Sequence, residues 1–422
     1  MNKEDSLYSI YVQILKEELV MAMGCTEPIA ISYACAKAVQ VLDHLPDRIV
    51  VKASGSIIKN VKSVIVPHTN GLKGIEVAAA AGALYGDANA KLEVLSSATR
   101  EQIEELPEYV QNTNITVQHI EQGHVFDLEI NVYYEQEHAS VRIVDTHTNI
   151  VQIEKDWKVI FEDKTTSLEH KADHSALNMK QIWDFAKTVD IEDVKEILDR
   201  QIACNMAIAN EGIHNSYGAN IGHVILNMDL DCVKTRAKAY AAAGSDARMN
   251  GCELPVVINS GSGNQGLTVS LPLIVYAERE HLDKEKLYRA LVISNLTAIH
   301  LKTEIGRLSA FCGAVSAGAA CGAGLAYLKD ASEEVMNHTI VNALAITSGI
   351  ICDGAKASCA AKIAVSVEAG ILGYDMYMNG QQFYGGDGII SKGIENTIHN
   401  IGVLGSQGMA STDQEIIKIM CE

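Results

Sequence analysis

The sequence predicts an α+β protein: a mainly helical catalytic core of Gly/Ala-rich packed helices, plus an N-terminal α/β lobe ending in an antiparallel meander. Two patterns carry that expectation. Between about Arg48 and Glu162, apolar and polar residues alternate with the period of a half-buried strand in RIVVKAS, KSVIVP, KLEVLS, ITVQHI, FDLEINVYYE, SVRIVDT, IVQIE and WKVIFE. From Asn178 onward small residues recur at helical spacing, as in KAYAAAGSDA, SAGAACGAGLA and KIAVSVEAGILGY, and small side chains let helices approach closely.

In chain order, helical spacing runs from about Ser6 to Leu42, and Pro46-Asp47 breaks it before the first strand. Two helical stretches interrupt the lobe, near Gly74 to Tyr85 and Arg100 to Val110, while polar turns such as EQEHAS and DTHTN separate its late strands. DKTTSLEHKADHSALN reads as a linker. Beyond it, EGIHNSYGANIG, SGSGNQG, CDG, YGGDG and LGSQGM punctuate a run of helices. Three units result: a helical segment at 1–45 packing on the catalytic core, an α/β lobe at 46–166, and a mainly helical domain at 167–422.

With 422 residues the chain is long enough for two domains and a large core. A net charge of -19 argues against a nucleic-acid partner, which needs clustered Lys and Arg. The start, MNKEDSLYSI, lacks the basic-then-apolar order of an export signal, so a cytoplasmic location and mostly reduced cysteines are expected. The apolar run from Leu19 to Val41 contains Glu27, Pro28 and Lys37, which argues against a membrane span. An Ala/Gly-rich helical surface suits a homodimer.

The 10 cysteines have unequal surroundings. On one continuous helix, Cys352 and Cys359 would lie roughly 10 Å apart along the axis, too far to share one small metal cluster. Asp353-Gly354 supplies a break, so that Cys352 closes one helix, Cys359 opens another, and both thiols face one cavity. Cys312, followed by Gly313, brings a third thiol from another helix end. Three thiolates fit an iron-sulfur cluster with one iron left open, although a lone Cys in an Ala-rich helix is ordinarily a packed small hydrophobe. Cys35, Cys204, Cys232, Cys252 and Cys321 read as structural, and Cys421 lies on a terminal tail from which a thiol could reach an open iron.

Taken together, MGCTEP, HTNGLKGIEVAAAAG, NSGSGNQG and the trio Cys312, Cys352 and Cys359 resemble the L-cysteine desulfidase family, itself related to the α-domain of iron-sulfur L-serine dehydratases. The resemblance spans nearly the whole chain. It implies a 4Fe-4S cluster held by Cys312, Cys352 and Cys359, and β-elimination of L-cysteine to pyruvate, ammonia and sulfide. It also implies that Cys25 is the base or a substrate-contacting thiolate, in which role a lowered pKa would serve it.

The substrate, a small amino acid, needs partners for its two charged groups. Ser260, Gly261, Ser262, Gly263 and Asn264 form a loop whose backbone N–H groups suit the carboxylate. Glu27 suits the ammonium or orients Cys25; His68 and Asn70 in HTNG are further substrate-binding candidates. L-Serine dehydration by the same mechanism is an alternative, because the two substrates differ at one atom. So are a pyridoxal-phosphate lyase, with SGSGNQG as phosphate cup, and a non-catalytic iron-sulfur sensor or amino-acid-binding protein.

Overall fold

Two hydrophobic cores organise the chain, which a computed structural model describes over residues 1–163 and 172–421. Helix α1 (Ser6–Glu18) is capped by Asp5, which accepts from Leu7 N, and it buries Tyr8, Tyr11, Ile14 and Leu15 among later helices. After strand β1 (Met21–Met23), helix α2 (Thr26–Leu42) buries Ile29, Ile31 and Leu42 in the other core, beneath a sheet. The first 45 residues thus divide between both cores. Gly24, at φ +53°, makes the reversal, and a Cβ there would stand 2.3 Å from Pro67 Cγ.

The sheet lobe contains β2 (Arg48–Ser54), α3 (Gly55–Val61), α4 (Ile75–Tyr85), α5 (Arg100–Asn112), β3 (Asn114–Ile120), β4 (Asp127–Tyr134), β5 (Glu137–Val144), β6 (Ile150–Lys155) and β7 (Lys158–Glu162). Strand order is β3-β2-β4-β5-β6-β7; β2 and β3 run parallel and the remainder forms the expected antiparallel meander. Register explains the single apolar face. Ile49 faces Val132, Val51 faces Ile130 and Ala53 faces Leu128, and these in turn meet Ala139, Val141 and Ile143 under α2 and α4. The opposite face carries the pairs Lys52–Glu129 and Arg142–Asp127.

Two expected strands are absent. KSVIVP forms a turn after α3 in which only Ile65 bridges to Lys73, and KLEVLS falls in a short 3-10 turn and the bends after it. Their apolar residues Val64, Val66, Val94 and Leu95 are buried plugs, so alternation there marks side-chain burial without strand pairing.

The second core is helical: α6 (Met179–Thr188), α7 (Lys195–His214), α8 (Ile221–Leu226) and α9 (Val233–Met249) precede β8 (Pro255–Val257), which pairs antiparallel with β1. Then come α10 (Gly263–Arg279), α11 (Lys284–Ile305), α12 (Gly313–Leu328), α13 (Glu333–Thr347), α14 (Cys359–Met378), α15 (Ile394–Val403) and α16 (Ala410–Cys421). Helix α12 packs against α10, α11, α13 and α14. Glycine lets it touch α14 closely: a Cβ on Gly318 would lie 2.3 Å from Ser366 O, and one on Gly370 2.3 Å from Gly318 O. Half of the segment read as a linker, and the boundary at 166, lie outside the described residues. Among those described, no helix is long and apolar enough to cross a membrane.

Candidate active site

Between the two cores lies a cavity of about 110 Å³ that brings together Cys25, Glu27, the turn at 260–264, Cys312, Cys352 and Cys359. Main-chain pairing joins the first two of the trio. Phe311 and Ile351 form an antiparallel bridge, with Cys312 N donating to Ile350 O at 3.1 Å and Cys352 N to Ala310 O at 2.7 Å. Cys352 therefore does not close a helix: α13 ends at Thr347, and Cys352 continues a short extended segment. Gly354, at φ +94°, then turns the chain so that Cys359 opens α14, its Sγ 3.8 Å from Gly354 O.

Four helices begin at this cavity. Cys25 is the N-cap of α2, Ser262 of α10 and Cys312 of α12, and Cys359 is the first residue of α14. Their unpaired N–H groups and dipoles favour negative charge. Lys59, Arg248, Lys302 and Arg307 also line the cavity, where among the described residues Glu27 is the one lining carboxylate. The chain is acidic, yet the cavity is an anion well. Burial, and then the neighbouring Cys352, push the Cys312 thiol up to about 12; burial likewise raises Cys359. Such thiols keep their protons until a metal displaces them. Burial pulls the Lys302 ammonium down to about 8 against the opposing pull of Cys352 and Cys312.

Cys25 does not have the lowered pKa that would serve its expected role. Its burial and the adjacent Glu27 carboxylate raise its pKa well above the ordinary value, and Sγ donates to Glu27 Oε2 at 3.0 Å. Although burial opposes ionisation of Glu27, His147 and the Cys25 thiol hold that carboxyl down to about 2. Asn60 Nδ2 donates to Glu27 Oε1 at 3.0 Å, and His147 Nε2 stands 3.8 Å from the same oxygen. Thr26 Oγ1 lies within hydrogen-bond distance of both Glu27 Oε2 and Gly261 O, tying the acid to the loop.

The loop is a tight reversal. Asn259 and Ser262 exchange main-chain hydrogen bonds of 3.1 and 3.0 Å, and Ser260 and Gly261 between them sit at φ +49° and +79°, the pattern of a type I′ turn. Buried amides fix its position: Asn259 Nδ2 donates to Asn295, which exchanges hydrogen bonds with Gln201. Asn205 accepts from Val257 N and donates to Val257 O and Gly266 O. Ser260, Gly261, Ser262 and Asn264 line the cavity; Gly263 does not, but its missing side chain makes room for Arg248.

His68 and Asn70 are not cavity residues. Both adopt positive φ in a turn, His68 Nδ1 lies 3.2 Å from Glu253 Oε1, and Asn70 is exposed. The five cysteines read as structural also lie outside the lining, and the described cysteines are free of disulfides. Cys421 ends helix α16, and its side chain is outside the described residues. Sequence reasoning missed Lys59, Asn60, His147, Arg248, Lys302 and Arg307. For Arg248 a signal was present: it follows AAAGSDA, a full charge in a helix of small residues.

Known proteins share this arrangement of sequence. The chain is 55% identical over 422 residues to a UPF0597 protein of Desulfitobacterium hafniense, covering 100% of this chain and 98% of that one. To UPF0597 proteins of Lachnoclostridium phytofermentans and Finegoldia magna it is 51% and 48% identical, covering 98% of this chain and 100% and 99% of theirs. A family model described as serine dehydratase alpha chain matches residues 89–418. Arg248, the 260–264 turn and the three clustered cysteines all fall inside that match, while Cys25, Glu27 and α3 precede it. Because the match takes in well over half of the residues, the chain belongs to the serine dehydratase alpha chain family.

Proposed function

We propose that the protein is an iron-sulfur lyase that converts L-cysteine and water to pyruvate, ammonia and sulfide. The observation that carries this reading is the meeting of Cys312, Cys352 and Cys359, across 47 positions of sequence, on one cavity with the Cys25–Glu27 pair. The donor set fits the group. Three soft thiols lining one anion-favouring cavity have the chemistry to hold iron and sulfide, while among the described residues no three His, Cys, Asp or Glu side chains are grouped as for a single ion. When bound by those three cysteines, a 4Fe-4S cluster leaves one iron free as a Lewis acid for the substrate's sulfur.

The protein's own groups handle charge and protons. Glu27 attracts the substrate ammonium, and that positive charge offsets the field by which Glu27 raises the Cys25 pKa. Substrate binding thus draws Cys25 toward thiolate, its proton passing to solvent, while Glu27 stays ionised as the partner of the ammonium. Because burial makes this thiolate strongly basic, it is suited to taking the weakly acidic Cα proton. The electron pair left at Cα forms the Cα–Cβ double bond as sulfide departs from Cβ. The resulting aminoacrylate tautomerises and is hydrolysed to pyruvate and ammonium. Lys302, near Cys352 and Cys312, is placed to give the departing sulfide a proton.

L-Serine dehydration is the second reading, and the family description favours it. Anaerobic product analysis with each amino acid separates the two: sulfide and pyruvate from L-cysteine at the higher kcat/KM support the desulfidase, whereas faster pyruvate formation from L-serine overturns that choice. Cys352→Ala is expected to lose turnover of both, and full turnover in that variant removes Cys352 from the ligand set. An aldimine absorption band in active protein would instead support pyridoxal phosphate, and a coloured protein without turnover a sensor.

A further inference from the structure

Arg248 is 3% exposed, yet among the described residues its guanidinium makes no ion pair; the one hydrogen-bond contact of its head is Nη1 to Met249 Sδ at 4.0 Å. Its Nε is buried without a partner. An uncompensated buried guanidinium is strongly unfavourable, and proteins keep one where an anion arrives to pair with it. The fold makes special room for this one: a Cβ on Gly263 would lie 2.3 Å from Arg248 Nε, so the first residue of α10 has no side chain where the guanidinium passes. Asn264 Oδ1 and Gln265 Oε1, on the same first turn, are buried and unpartnered as well, and each amide can present its NH2 group to an oxygen anion.

We infer that Arg248, with the first turn of α10, receives the α-carboxylate of the amino-acid substrate and so makes the site selective for α-amino acids over their decarboxylated amines. The inference rests on the proposed reading of this cavity as an amino-acid site and names a residue which that reading does not. Carboxylate at Arg248 and ammonium at Glu27 fix two substituents of Cα, and the third, the Cβ arm, is then directed to the cysteine trio. Arg248 lines the same cavity as Glu27 and Cys359, so the carboxylate, ammonium and thiol partners share one enclosure.

The test is anaerobic calorimetry of the full-length protein with L-cysteine and with cysteamine, which lacks only the carboxylate. The wild type is expected to prefer L-cysteine. Arg248→Met should lose that preference and bind L-cysteine about ten- to a hundredfold more weakly, the range for a charge-assisted pair. In the ligand-free state its unfolding temperature should equal or exceed that of the wild type, because a buried unpaired charge has been removed. Arg248→Lys, which keeps the charge but not the fork, should bind between the two and carries the test if the Met variant does not fold. The inference is overturned if the wild type does not prefer L-cysteine, or if the variants bind L-cysteine as tightly and selectively as the wild type. Selective binding without elimination would instead overturn the proposed reaction while leaving the carboxylate receptor intact.

Discussion

At Glu27 the protonation state follows from its four neighbours, Cys25, Thr26, Asn60 and His147. A carboxyl held near 2 instead of its ordinary 4.5 contributes stability above about pH 4.5, and that contribution is lost as pH falls toward 2. Glu27→Gln should therefore reduce the unfolding free energy at neutral pH and flatten its acid limb, as measured by denaturant titration across pH. The same variant removes the charge that raises Cys25, so one thiol should form thiolate at lower pH than in the wild type, read from the difference in thiolate absorbance. An unchanged thiol titration would mean that burial alone sets the Cys25 pKa. The chemistry at this scale was half legible: cysteines in Gly-rich contexts stood out, whereas Lys59, Asn60 and His147 sit in ordinary helix and turn sequence and matter only because the fold faces them inward. His68 and Asn70 stand apart from the cavity, in a turn whose positive φ both residue types tolerate.

Among the elements, the α12–α14 contact sets the separation of two thiols. Both helices start at the cavity and cross at Gly318, Ser366 and Gly370, where a methyl group would meet backbone. Gly318→Ala should force the helices apart, cost about 1–3 kcal/mol of stability, and lower iron incorporation during anaerobic reconstitution, counted as iron per chain. Normal iron content with lowered stability would show that the crossing supports the core but not the spacing of Cys312 and Cys359. Long periodic segments were readable from sequence; α4 and α5 fall within a residue or two of their expected positions. Short elements were not. Strand β1 exists because it pairs with β8, more than 230 positions away, and no local pattern carries that information. KLEVLS shows the converse, an alternation whose buried residues plug a turn.

Over the whole molecule, the cavity draws Cys25, Glu27, α3 and the turn of His147 from the sheet side, and Arg248, the 260–264 turn and the three thiols from the helical side. Anything bound there ties one core to the other. Anaerobic loading with iron and sulfide should raise the unfolding temperature of the wild type, by the linkage between binding and folding, but not that of Cys312→Ala, as followed by scanning fluorimetry. Equal shifts in both proteins would place the bound metal elsewhere. The change from a sheet to a mainly helical core was evident in the switch from alternating to Ala/Gly-rich sequence, but the placement of the cavity between the two was not, because residues 25, 147 and 352 meet only through tertiary packing.

The bridge between Phe311 and Ile351 is held by main-chain hydrogen bonds in which no sulfur takes part. On the proposed iron-sulfur reading, air that strips iron from the three thiols should leave this scaffold standing, and refilling with iron and sulfide is then the expected route of repair, without new synthesis.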